Sequence, residues 1–202
     1  MSEYEKMIRG EIYNPFDKYL SDSRAKAHKL SRIYNQIIED DKKSHKILDE
    51  LLPHKGKNLF MEAPIMFDYG FNTYFGDNCY TNFNFLCLDV CEVKIGNNVL
   101  FGPNVTIVTP LHPLLAEERN IREIDGELCD YEYAKPITIE DNCWIAANVV
   151  ICGGVKIGHD SVIGAGSIVT RDIEPNSLAV GNPCKVIRKI TEKDKIGFDI
   201  NK

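Results

Sequence analysis

Two hydrophobic periods divide the chain. Up to about residue 57 the apolar positions follow helical spacing. In LSDSRAKAHKLSRIYNQIIED, Ala27, Leu30, Ile33, Tyr34 and Ile37 share one stripe, which predicts an amphipathic helix with Ser21 or Asp22 as its N-cap. A second helix is predicted through KKSHKILDELL, burying Ile47, Leu48, Leu51 and Leu52 and stopping at Pro53, whose ring cannot continue the hydrogen-bond ladder. His28, His45 and His54 stand among charged residues in this segment and are expected to be solvated.

From about residue 58 the period becomes six. Ile139, Ile145, Ile151, Ile157, Ile163 and Val169 follow one another without a gap, and Ile95, Phe101 and Ile107 keep the same spacing. Phe75, Thr81 and Cys87 continue it upstream, with a slip of two residues before Ile95. Small residues follow the core position in IGNNVL, FGPNVT, IGHDSV and IGAGSI, and a second set lies four further on at Val99, Val105, Cys143, Val149 and Val155. A hexapeptide period marks a parallel β-helix, in which short flat strands meet at tight corners eased by glycine or asparagine. The predicted fold is therefore mainly β, a hexapeptide-repeat β-helix over residues 58–190 with roughly five triangular coils. A helical segment, residues 1–57, precedes it, and the tail at 191–202 is expected to form a short helix or fray. Stacked coils leave apolar faces and open edges. The helical segment is expected to cover the first coil, and the flat faces to support assembly.

The rhythm breaks at TPLHPLLAEERN. From Ile107 to Ile139 is 32 residues, not a multiple of six, so residues 109–136 are expected to leave the coil as a loop. Long loops on a rigid scaffold are often functional. His112 stands at its base between Pro110 and Pro113, which restrict the backbone on both sides, and an imidazole so framed is a candidate general base. His159, on a repeat corner, is expected to be solvated.

Composition narrows the function classes. The 202 residues carry 30 acidic and 24 basic side chains, a net charge of -6, so neither nucleic acid nor an anionic membrane is an expected partner. No run approaches the ~20 apolar residues of a membrane span, and the N-terminus lacks a signal core; a cytoplasmic protein is expected. Cys79, Cys87, Cys91, Cys129, Cys143, Cys152 and Cys184 are odd in number, which argues for reduced thiols. No second cysteine pair or flanking histidine completes a zinc set around Cys87 and Cys91, so no metal is expected.

EKMIRGEIYN followed by SRAKAHKLSRIYN, then FDYGFNTYFGDNCYTNFN, LDVCEVKIG, the TPLHP loop and PITIEDNCWIAANVVICGGVKIG resemble the galactoside, maltose and nodulation-type sugar O-acetyltransferases, from about residue 4 to residue 190. The resemblance implies a left-handed β-helix and a homotrimer with sites between subunits. It implies direct transfer of acetyl from acetyl-CoA to a hydroxyl of maltose, glucose or a related sugar. His112 takes the role of general base, and the backbone N–H of Ala147 that of oxyanion donor. The common W-I-G followed by Gly or Ser reads W-I-A-A here, which alanine tolerates unless the corner needs positive φ. Acceptor contacts fall to Asp68, Asn82 and Asp89, and Asp89-Val90 in place of two aspartates points away from galactosides. CoA contacts fall to Trp144, Ala147, Ala165, Thr170, Arg171, Lys185 and Arg188. Plainer roles stay open: Trp144 as a partly exposed core residue, Asn82 as a rung of a corner ladder, the cations as solvated side chains. With no acetyl-enzyme in the scheme, none of the cysteines should be essential.

Three other readings compete. A hexapeptide carbonic anhydrase needs three converging histidines, and the β-helix has two. A non-catalytic β-helical assembly leaves the His-Pro loop without a purpose. A hexapeptide acetyltransferase with an antibiotic or serine hydroxyl as acceptor keeps the chemistry and changes the substrate.

Overall fold

The computed structural model describes residues 1–37, 41–124 and 126–197. Each hexapeptide contributes one short strand, and successive strands lie on three different faces of a prism. The first face stacks His54–Lys55, Thr73–Phe75, Val93–Ile95, Ile137–Ile139 and Lys156–Ile157 in parallel. The second stacks Phe60–Met61, Tyr80–Thr81, Leu100–Phe101, Trp144–Ile145, Val162–Ile163 and Ser177–Val180, and Lys185–Lys189 then closes its end antiparallel. Ile65–Phe67, Phe85–Leu88, Thr106–Val108, Val150–Cys152 and Ile168–Val169 form the third. The second face therefore carries one more parallel strand than the five expected coils supply.

The core is the inward column the period predicts. Ile95, Phe101, Ile107, Ile139, Ile145, Ile151, Ile157, Ile163 and Val169 are all buried, each packed against the coil above and below. Corners between the first and second faces are turned by Asn58, Asn78, Asn98, Asn142 and Asp160, all in the left-handed region with φ between 55° and 60°, which asparagine and aspartate tolerate. Their side chains form a ladder in which each amide donates to the next oxygen, at 2.9, 3.2, 3.0 and 2.9 Å. Asn84, Asn104 and Asn148 do the same between the second and third faces, at 2.8 and 3.0 Å.

Departures from the six-residue period all fall on the remaining corner, between the third and first faces. Eight residues separate Phe67 from Phe75 and Cys87 from Ile95, and 32 separate Ile107 from Ile139. The slip seen in sequence is thus a widened corner, and the inserted loop is its largest instance.

Helices α1 (Glu3–Ile8), α2 (Lys18–Tyr34) and α3 (Asp41–Leu51) form the N-terminal segment. α2 starts earlier than its apolar stripe suggests, because Asp17, not Ser21 or Asp22, is the N-cap, its carboxylate accepting from Leu20 N at 3.1 Å. Ala27, Leu30, Tyr34, Leu48, Leu51 and Leu52 extend the prism core over the first coil. Asn35 completes the cover: its amide both donates to Ile65 O and accepts from Ile65 N, each at 2.8 Å, satisfying a strand edge. A second, smaller core of Met7, Tyr13, Leu20, Tyr69, Val90, Cys91 and Ala134 binds the segment to the widened corner. His54 is exposed, as expected, and stacks one face on Tyr74 with ring centroids 4.4 Å apart. The tail turns once as a 3-10 helix at Glu192–Asp194. No helix among the described residues is long and apolar enough to cross a membrane.

Candidate active site

The neck of the inserted loop is tied at several points. Thr109, fully buried, donates its hydroxyl to Leu88 O at 2.7 Å and accepts from Cys91 N at 3.0 Å. Lys135 N reaches Thr109 O at 3.0 Å, and Pro110–Leu111 pairs antiparallel with Tyr133–Ala134. Beyond the neck the loop carries its own structure, a short helix α4 (Ala116–Arg119) and a hairpin of Arg122–Ile124 with Glu127–Cys129.

This zipped neck sets His112 across from Glu132. The imidazole is 45% exposed, and its Nε2 stands 3.6 Å from the Glu132 carboxylate, an ion-pair distance longer than a hydrogen bond. Glu132 itself is largely buried. Its carboxylate accepts the Tyr13 hydroxyl, and its backbone exchanges two hydrogen bonds with Tyr13, at 3.1 and 3.3 Å. Burial pushes the Glu132 carboxyl above its ordinary range, while the Tyr13 hydrogen bond and the nearby His112 and Arg24 pull it down. A carboxylate so held favours one imidazole orientation and stabilises the imidazolium formed when the ring accepts a proton.

Asp68 is on the same corner, two coils away. It is bonded to His28 Nε2 at 3.0 Å, so His28 is a partner of Asp68 and not the solvated residue its neighbours suggest. One turn earlier on α2, Arg24 donates to Tyr69 Oη and to Pro15 O, both at 2.7 Å. α2 thus presents two side chains to the widened corner.

Asp89 corrects another expectation. Although the resemblance assigns it to the acceptor, it is fully buried: one carboxylate oxygen accepts from Tyr69 N at 2.8 Å and the other from the Thr73 hydroxyl at 2.9 Å. It shapes the corner beneath Asp68 and offers no oxygen to a ligand. Burial raises its carboxyl to about 7. A raised folded-state value means the stabilising neutral form is fully present below about pH 4 and lost as pH rises through about 7, with a slope of up to about 1.4 kcal/mol per pH unit. Asp89→Asn is expected to remove that component, so the Tm gap between wild type and variant should change between pH 5 and pH 8 in favour of the variant. A gap independent of pH would contradict this.

The remaining candidates stand elsewhere. Ala147 and Ala165 occupy successive coils of the corner between the second and third faces, where among the described residues no backbone hydrogen bond uses either N–H. Ala147 is not at positive φ; Asn148 takes that conformation, with φ 58°, so W-I-A-A costs the corner nothing. Gly102 lies directly behind, since a Cβ there would be 2.7 Å from Ala147 N. Asn82 shares this corner; its side-chain oxygen accepts from Phe83 N at 2.8 Å, leaving the amide as donor, and the corner ladder runs through Asn84 instead. Along the outer second face Phe60, Tyr80, Leu100, Trp144, Val162 and Leu178 stack in register. Phe60, Leu100 and Trp144 are 57%, 48% and 52% exposed, an apolar column that invites a covering group.

Thr170 and Arg171 are exposed on the corner between the third and first faces in the last coil, shortened there to four positions from Val169 to Ile173, and Lys185 is exposed on the closing strand. Arg188 is engaged, its guanidinium gripping Asp194 at 2.7 and 2.9 Å, so it is not simply available to a phosphate. His159 is exposed, as expected, and bonds its neighbour Asp160 at 2.6 Å. The candidate residues thus fall into two groups, His112 with Asp68 on one corner, Ala147, Ala165 and Asn82 on another, separated by the third face. Its strands of two to four residues hold the corners roughly 10 Å apart at ~3.3 Å per residue.

A family model described as the maltose acetyltransferase hexapeptide capping motif matches residues 6–56, and a bacterial transferase hexapeptide model matches 136–171. The galactoside O-acetyltransferase of Escherichia coli (strain K12) is 41% identical over 192 residues, covering 95% of this chain and 91% of its own. This chain belongs to the maltose and galactoside O-acetyltransferase family. Its fold follows that of a maltose O-acetyltransferase from Clostridium difficile 630, at 42% identity and TM-score 0.82 with 95% and 99% of the two chains covered. A galactoside acetyltransferase in complex with coenzyme A matches at 38% identity and TM-score 0.87, with 96% and 94% covered. Like these relatives, the chain is an acyltransferase built on a β-helix.

Within this family member, sequence reasoning missed Glu132, Tyr13 and His28. Glu132 becomes visible only when Pro110–Leu111 is paired with Tyr133–Ala134, a register that no periodicity announces. His28 is at helical spacing from Arg24, a polar stripe beside the apolar one, which is the signal that it faces something other than water.

Proposed function

We propose that the protein is an acetyl-CoA-dependent O-acetyltransferase that works as a homotrimer on a hydroxyl of maltose, glucose or a related sugar. The observation that carries this reading is the division of the site residues between two corners: a base with its carboxylate on one, unpaired backbone donors on the other. A second copy that sets its donor corner against the His112 corner completes the site, and a closed cyclic trimer gives each copy both roles. The apolar column of the second face then forms a wall for the pantetheine arm, with Trp144 part of it.

In this arrangement His112 takes the proton of the acceptor hydroxyl as its oxygen attacks the thioester carbonyl carbon. The Ala147 N–H meets the oxyanion, a donor of a kind worth about 3–4 kcal/mol in the transition state. Collapse breaks the carbon–sulfur bond, and the imidazolium returns its proton to the departing thiolate, giving the acetyl ester and CoA. Glu132 balances the imidazolium charge throughout. Asp68, fixed by His28, and Asn82 of the adjoining copy are the acceptor's hydrogen-bond partners. Thr170, Arg171 and Lys185 attend the phosphate end of CoA, where cations and exposed donors suit anionic oxygens. Val90 following Asp89 favours maltose or glucose over galactosides.

The test is product formation from acetyl-CoA with maltose, glucose, galactosides and non-sugar hydroxyl compounds, counted by mass. Acetylated maltose or glucose as the best product is the expected result. Transfer to a non-sugar hydroxyl alone would replace the acceptor, and no transfer to any hydroxyl would overturn the reading.

A further inference from the structure

The N-terminal segment does more than cover the first coil. Tyr13 is fully buried, its ring held in the small core of Met7, Leu20, Tyr69, Val90, Cys91 and Ala134. That packing fixes one rotamer. Two backbone hydrogen bonds join Tyr13 and Glu132 reciprocally, Tyr13 N to Glu132 O at 3.1 Å and Glu132 N to Tyr13 O at 3.3 Å, an isolated bridge outside any sheet. The Tyr13 hydroxyl then donates to one Glu132 carboxylate oxygen, and the other oxygen faces His112 Nε2 at 3.6 Å.

We propose that Tyr13 is a positioning residue for catalysis, acting through Glu132 to hold its free carboxylate oxygen against the His112 ring. The inference rests on His112 being the general base. A buried carboxylate needs a donor on each side to remain charged and oriented. His112 faces one oxygen at ion-pair distance and offers it a charge only while protonated; Tyr13 supplies a hydrogen bond to the other permanently. Without the hydroxyl, Glu132 is a buried group with one satisfied oxygen, free to rotate and easier to protonate, and the imidazolium of the transition state loses its counter-charge. No step of proton transfer is assigned to Tyr13, whose hydroxyl burial holds firmly protonated.

The geometry makes Tyr13→Phe a clean probe, because the ring, its packing and both backbone hydrogen bonds persist and only the hydroxyl leaves. The expected result is a fall in kcat of about tenfold, the size associated with a hydrogen bond to a charged group, with KM for acetyl-CoA and acceptor within about twofold and the protein still fully folded at the assay temperature. A double-mutant cycle with Glu132→Gln gives the readout that a purely structural tyrosine cannot imitate. If Tyr13 acts through Glu132, the double variant should be no slower than Glu132→Gln alone; independent multiplication of the two losses would overturn the proposal. So would a Tyr13→Phe enzyme with wild-type kcat, or one whose loss is confined to KM. His112→Ala measured alongside separates the two levels: if it turns over like wild type, the base assignment has failed and the proposal with it. If it collapses while Tyr13→Phe does not, the proposal alone has failed.

Discussion

His112→Ala is expected to lower kcat/KM for sugar acetylation by a factor of about 10²–10⁴ while leaving the fold and CoA binding intact. The factor is that of a positioned general base. A sugar hydroxyl is almost entirely protonated at neutral pH, so attack on the thioester requires a group that takes the proton as the bond forms. The imidazole is half exposed, framed by Pro110 and Pro113, and faces a largely buried carboxylate. Its removal leaves oxyanion stabilisation and substrate alignment in place, which is why a residual rate above the uncatalysed one is expected. Because the side chain is on the surface and outside both cores, Tm should stay close to that of wild type. Steady-state kinetics with product counted by mass, for both proteins at several pH values, decides the matter. Equal turnover would remove His112 from the chemistry; a loss confined to acceptor KM would make it a binding residue.

Mixed trimers should recover activity that neither parent has. The second variant is Asn82→Ala with Trp144→Ala, two positions on the donor side, neither of them buried. His112→Ala chains keep an intact donor corner, and the donor-side variant keeps an intact histidine. If each site takes one corner from each of two copies, random assembly of equal amounts gives a functional pairing at about a quarter of the sites, by the arithmetic of a cyclic assembly. Every mixed trimer then holds one functional pairing among its three sites, so co-expressed chains carrying different tags, isolated as mixed species, should show roughly a third of wild-type turnover. Activity no greater than the sum of the two parents would mean that each chain holds its whole site, and the two-corner geometry would then need another explanation.

Much of the fold is legible in the sequence because a hexapeptide repeat leaves little choice: an inward aliphatic at every sixth position and an asparagine at a left-handed corner specify a strand and a turn together. His112 is legible for the opposite reason, as a departure from the repeat framed by prolines. Less visible are contacts whose partners come from distant segments. Tyr13 and Glu132 are 119 positions apart, and His28 and Asp68 are 40 apart, and each pair depends on how α2 and the loop neck dock on the corner. Asp89 misleads in a different way, because a residue type can be read in a sequence and its burial cannot; here the carboxylate turns inward to Tyr69 N and the Thr73 hydroxyl.

The unequal corners also bear on how such an enzyme changes over time. Two edges of the prism are held at six residues by side-chain ladders, so an insertion there would break a hydrogen-bonded stack of five side chains on one edge or three on the other. The third edge already absorbs additions of very different length, two residues at Asp68–Asn72 and a whole loop after Thr109. In the proposed assembly the locked edge presents the oxyanion donor Ala147 and the permissive edge presents His112 and Asp68. Substrate range can then diversify by lengthening or trimming one seam of the solenoid, while the corner that holds the oxyanion donor stays under the constraint of the repeat.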